Sequence, residues 1–117
     1  MREGSSSSVQ VFYPKLNRRQ LIEALTERIG KLEKLLPVVK VILFGSYAKG
    51  TYTVASDIDL LIVYEGRPQK GAYAVAKRAL GLPRLEVHLY TAEEYAALRE
   101  TIDRMTAEGV VLYPKSE

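Results

Sequence analysis

The chain has no cysteine and only one histidine, His88, among its 117 residues. The first absence removes disulfides, thiolate nucleophiles and soft-metal sites. The second removes any histidine-rich zinc centre built within one copy. No apolar run approaches the roughly 18–20 residues that a bilayer-spanning helix needs. The opening MREGSSSS is polar where a secretory leader would be apolar, so a cytoplasmic protein with no membrane association is expected. Nor is there a block of Lys or Arg, since the formal net charge of +3 is spread along the chain. Such a balance suits a polyphosphate or an acidic partner and carries no strong nucleic-acid signal. No internal repeat is visible.

What is present is an apolar fraction of 47% with charges of both signs, enough for the core of one domain. Residues 1–9 read as a disordered Ser-rich tail and residues 10–117 as a single domain. Asn17 opens a helix with Gln20 as its capping-box partner, and Leu21, Leu25, Ile29, Leu32 and Leu36 form one apolar stripe stopped by Pro37. Val38 to Phe44 reads as a strand, Ser46 to Lys49 as a short helical turn and Gly50 to Ser56 as a loop. Asp57 to Tyr64 reads as a strand buried on both faces. A helix is expected from about Pro68 to Leu80 with Gly81 as its C-cap, then a strand from Arg84 to Tyr90. Thr91, with Glu94, caps a last helix whose stripe is Tyr95, Leu98, Ile102 and Met105. Gly109 ends that helix, and Val110 to Tyr113 adds an edge strand. Alternating helices and strands predict an α/β (α+β) fold, a small sheet of about four strands with helices packed on it.

The stretch from Val41 to Tyr64, VILFGSYAKGTYTVASDIDLLIVY, concentrates the chemistry. Strand residues two apart point the same way, so Asp57 and Asp59 aim both carboxylates at one region. Two hard oxygen donors this close repel unless a cation lies between them, and Mg2+ binds through one or two carboxylates plus substrate phosphates. Gly45 permits close backbone approach at the other side of the cleft, and N–H groups following it favour phosphate.

Gly45-Ser46, ten intervening residues and Asp57-x-Asp59 resemble the signature of minimal nucleotidyltransferases, in the DNA polymerase β-like superfamily. The resemblance runs from the first helix to about residue 107. It implies a mixed sheet of the nucleotidyltransferase fold and transfer of AMP from ATP to a hydroxyl, assisted by two Mg2+ ions. By that resemblance Asp57 and Asp59 hold metal, Gly45 and Ser46 grip the β- and γ-phosphates, and Lys49 adds a charged contact. The family's third acid sits on a later strand, and the common register would put His88 there. Glu86, two residues earlier and the only carboxylate of that strand, reads as the third acid and metal ligand. His88 stands beside it as a general base or nucleotide contact. Tyr47 and Tyr52 lie near the presumed nucleotide.

The resemblance further implies a HEPN-domain partner, with the chain as an antitoxin that adenylylates a tyrosine of a HEPN ribonuclease. The alternatives are a non-catalytic nucleotide-binding module acting on a partner by contact, and a nucleotide-sensing regulatory subunit. A homo-oligomer stays open.

Overall fold

The computed structural model describes residues 16–53 and 55–114; the expected tail at residues 1–9 lies outside them. The first element starts where local chemistry asks for it. Asn17 Oδ1 accepts from the Gln20 N–H at 2.8 Å and Gln20 Oε1 accepts from the Asn17 N–H at 3.0 Å, which caps α1 (Arg18–Leu32). Donors that a helix start leaves without partners are satisfied in this way. The stripe Leu21, Leu25, Ile29, Leu32 and Leu36 is buried throughout.

After α1 come β1 (Val38–Phe44), α2 (Ser46–Lys49), β2 (Ile58–Tyr64), α3 (Ala72–Leu80), β3 (Leu85–Thr91), α4 (Ala92–Ala97), α5 (Arg99–Met105) and β4 (Val110–Tyr113). The strands form one sheet in the order β3-β2-β1-β4. β1 pairs antiparallel with both β2 and β4, while β2 and β3 run parallel across the α3 connection. The sheet is therefore mixed, with β2 interior and buried from Leu60 to Tyr64, as its unbroken apolar run demands.

Two apolar clusters hold the layers together. Val41, Leu43, Leu60 and Ile62 pack under α1 and α3, against Leu21, Leu25, Ala76 and Leu80. On the opposite face, Ile42, Phe44, Leu61 and Val63 meet Ile102 of α5. No described helix is long and apolar enough to cross a membrane.

The strands expected from Asp57 and Arg84 begin one residue later, at Ile58 and Leu85, and three further expectations differ. The helix expected from Pro68 begins only at Ala72. Before it, the Gln69 N–H donates to Tyr64 Oη at 3.0 Å and the Ala72 N–H to the Gln69 carbonyl at 3.1 Å, so the segment is a turn tied to the end of β2. The last helix is broken in two. Thr91 and Glu94 form the expected capping box, but Leu98 (φ −109, ψ 19) separates α4 from α5. Of the expected stripe only Ile102 is buried, and Leu98 and Met105 are exposed. Tyr95 instead joins a polar network: Lys40 Nζ donates to its hydroxyl at 3.2 Å, and that hydroxyl donates to Asp103 Oδ1 at 3.0 Å. Arg99 Nε closes the network on Asp103 Oδ2 at 3.0 Å. Finally, Gly109 lies beyond the helix it was expected to end. A Cβ there would meet Ile42 Cγ2 at 2.6 Å and the Leu43 carbonyl at 2.8 Å, so glycine is needed for the chain to pass close over β1.

Candidate active site

The C-terminal end of β1 and the N-terminal ends of β2 and β3 meet at one end of the sheet. Phe44 is the register partner of Asp59, and Asp59 of Glu86. Between β1 and α2 the chain turns through Gly45 at φ 80 and ψ −155, a backbone that side chains rarely allow. The missing side chain has a second consequence. The Asp59 carboxylate occupies the space a residue-45 Cβ would fill, so the Gly-Ser turn and the second aspartate are in direct contact. Ser46 opens α2 and its carbonyl accepts from the Thr51 N–H at 3.0 Å, while Lys49 is exposed at the far end of that turn.

The two aspartates have different surroundings. Asp57 stands just before β2, and its Oδ1 lies 3.6 Å from Arg84 Nη1. Asp59 lies within β2, and its Oδ1 is 3.7 Å from His88 Nε2. The His88 ring tilts against Phe44 at 5.1 Å between centroids. Its Nε2 is buried and has no hydrogen-bond partner among the described residues. Glu86 leaves the sheet on the same side as Asp59, as partners in a parallel pair do, and is exposed to solvent.

Gly45, Ser46, Asp57, Asp59, Glu86 and His88 therefore share one end of the sheet. They do not close around a single point: among the described residues no three His, Asp or Glu side chains are gathered as a metal cage. The side chain that reaches Asp59 is His88. Tyr47 and Tyr52, expected near the nucleotide, stack on each other at 4.3 Å and an interplanar angle of 9°. Tyr47 is buried, and the Tyr52 hydroxyl accepts from the Arg18 N–H at 3.2 Å, so this pair ties the loop to α1. Arg84 is the residue that sequence reasoning missed. It was expected inside the strand, yet it precedes β3 with φ 60. The only sequence trace is the spacing of Arg84, Glu86 and His88, three polar residues two positions apart.

A divalent cation, which the sequence resemblance implies, fits these residues. Asp57 and Asp59 are hard oxygen donors. Their contacts to Arg84 and His88, at 3.6 and 3.7 Å, are longer than hydrogen bonds and leave the carboxylate oxygen lone pairs free. The unpartnered His88 Nε2 faces the same carboxylate.

Known proteins share this fold. A provisionally named nucleotidyltransferase from Sulfolobus solfataricus superposes over 80% of this chain and 80% of its own, with a TM-score of 0.55 and 20% identity. A chain of a toxin–antitoxin complex solved with AMP-PNP gives a TM-score of 0.54 and 22% identity over 78% of this chain and 74% of that one. A chain from a complex of tri-AMPylated Shewanella oneidensis HEPN toxin with MNT antitoxin gives 0.51 and 18% identity, over 80% and 73%. At such identities the likeness is one of fold. Over 26 residues the sequence is 69% identical to a provisionally named protein adenylyltransferase of Methanocaldococcus jannaschii. That stretch is 22% of this chain and 26% of the relative, so the match spans about a quarter of the relative's length. The family model of the nucleotidyltransferase domain matches residues 18–111, from the start of α1 into β4, and the chain belongs to that family.

Proposed function

We propose that the protein transfers AMP from ATP, in a Mg2+-dependent reaction, to a tyrosine hydroxyl of a HEPN-domain ribonuclease, and so serves as the antitoxin of a toxin–antitoxin pair in the cytoplasm. The observation that carries this reading is the contact of the Gly45 turn with the Asp59 carboxylate, which brings a phosphate-binding type of backbone against a cation-binding type of side chain. The partner assignment draws on the AMPylated HEPN toxin named for the Shewanella complex.

In this reading Asp57 and Asp59 hold the cations, with Glu86 as the third carboxylate at the same strand ends. When bound, the cations neutralise charge on the attacking and leaving oxygens. The Gly45–Ser46 backbone and the Ser46 hydroxyl hold the β- and γ-phosphates, and Lys49 adds a charge-assisted contact. The acceptor oxygen then bonds to the α-phosphorus as the bond to the β-phosphate oxygen breaks and pyrophosphate leaves. The acceptor proton passes to a base at the strand ends, for which the His88 imidazole is suited.

Incubation with a HEPN partner and Mg2+-ATP, followed by intact-mass measurement, tests the proposal. AMP-sized additions on the partner, lost in Asp59→Asn together with silencing of the ribonuclease, are the expected result. A second reading, a nucleotide-binding module that restrains its partner by contact alone, is favoured by one observation: His88 rather than a third carboxylate reaches Asp59. Silencing that survives Asp59→Asn without any mass change would establish it.

A further inference from the structure

Each aspartate of the site is met by a basic side chain supplied by β3 or the residue before it, and the two pairings are not equivalent. His88 belongs to the strand and packs on Phe44. Arg84 stands outside the strand, in left-handed backbone that a non-glycine residue adopts only where its surroundings hold it. Two contacts do so. Its carbonyl accepts from the Ile58 N–H at 2.8 Å, and its Nη1 donates to the Ala55 carbonyl at 3.0 Å. The same Nη1 lies 3.6 Å from Asp57 Oδ1. One guanidinium thus connects the loop before β2 to the first aspartate.

A positive charge beside Asp57 competes with any cation that uses this carboxylate. The competition is mild, because both side chains are 54% exposed and water screens the pair. A guanidinium released there carries donors whose spacing matches phosphate oxygens, which a bound cation does not.

We infer that Arg84 is the resident counter-ion of Asp57, holding that carboxylate and the adjoining loop until a divalent cation takes its place, and then turning onto the triphosphate that arrives with the cation. The inference deepens the transferase reading and rests on it. It gives Arg84 two opposite effects: it weakens binding of the bare cation and, by contacting the triphosphate, strengthens binding of the cation–nucleotide complex. A residue that merely supports the fold would move both in the same direction.

Arg84→Asn is the discriminating variant, because asparagine tolerates left-handed backbone and removes the charge. Mn2+ affinity is read by electron paramagnetic resonance on the protein alone. Affinity for α,β-methylene ATP, which cannot release pyrophosphate, is then read at saturating Mn2+, and a thermal melt checks the fold. The variant is expected to bind Mn2+ about two- to fivefold more tightly, the effect of one exposed ion pair. Its affinity for the nucleotide analogue is expected to fall about fivefold or more, the effect of a lost charge-assisted contact. Unchanged affinities, or a parallel loss of both, overturn the inference while leaving the transferase reading in place. If Asp57→Asn binds Mn2+ as well as the wild type does, the metal assignment itself is wrong and the role of Arg84 falls with it.

Discussion

A methyl group at residue 45 would land on the Asp59 carboxylate, at a backbone φ of +80 where alanine is strained. Gly45→Ala should therefore cost about 1–3 kcal/mol of stability in urea unfolding, because φ 80 with ψ −155 is a backbone essentially confined to glycine. It should also abolish AMP transfer in the intact-mass assay by displacing Asp59. Gly30 is the control. It lies inside α1 with nothing within 4 Å of its missing Cβ, so Gly30→Ala should raise stability by about 0.5–1 kcal/mol and leave transfer intact. At this scale the sequence discloses what depends on local spacing. That Gly45, Ser46, Asp57 and Asp59 share one end of the sheet was legible because a turn glycine and the start of the next strand leave a pattern within some fifteen residues, although Asp57 stands just before the strand it was expected to open. Whether Glu86 or His88 reaches Asp59 depends on the pairing of two strands and on side-chain rotamers, which single-chain spacing does not record. The left-handed backbone of Arg84 leaves no compositional trace at all.

The elements divide in the same way. Both capping boxes, Asn17 with Gln20 and Thr91 with Glu94, were readable because each is a closed exchange of hydrogen bonds three residues apart. The start of α3 was not, because the segment after Pro68 is held by the Tyr64 hydroxyl from the preceding strand. The split between α4 and α5 was hidden by an apolar spacing that suits one continuous helix. The broken arrangement makes a prediction that the continuous one does not. Ile102→Ala should cost about 2–5 kcal/mol, since its buried side chain joins α5 to Ile42, Phe44, Leu61 and Val63. Leu98→Ala, at a residue 45% exposed, should stay within about 0.5 kcal/mol. Equal losses in urea unfolding would restore a single buried stripe.

For the molecule as a whole, the cation and the nucleotide are expected to bridge the turn after β1 and the start of β2, segments that are brought together only in the folded chain. Binding at that point must therefore stabilise folding. A ligand present at a hundred times its dissociation constant adds about 2.7 kcal/mol. For a chain of 117 residues that is a rise in melting temperature of roughly 10 °C. The rise should need Mg2+ and ATP together: without the cation, Asp57 and Asp59 repel the triphosphate, and without the nucleotide two carboxylates, one of them half-exposed, hold Mg2+ weakly. In the transferase reading Asp59→Asn removes a cation ligand and also lowers the negative charge at the strand ends. It should melt at or above the wild-type temperature with no ligand, and it should lose the shift when both ligands are added. Thermal melts with each ligand alone and with both separate the contributions. An equal shift with ATP in the presence of EDTA would mean that Ser46 and Lys49 seat the phosphates unaided, and the two aspartates would then need another role.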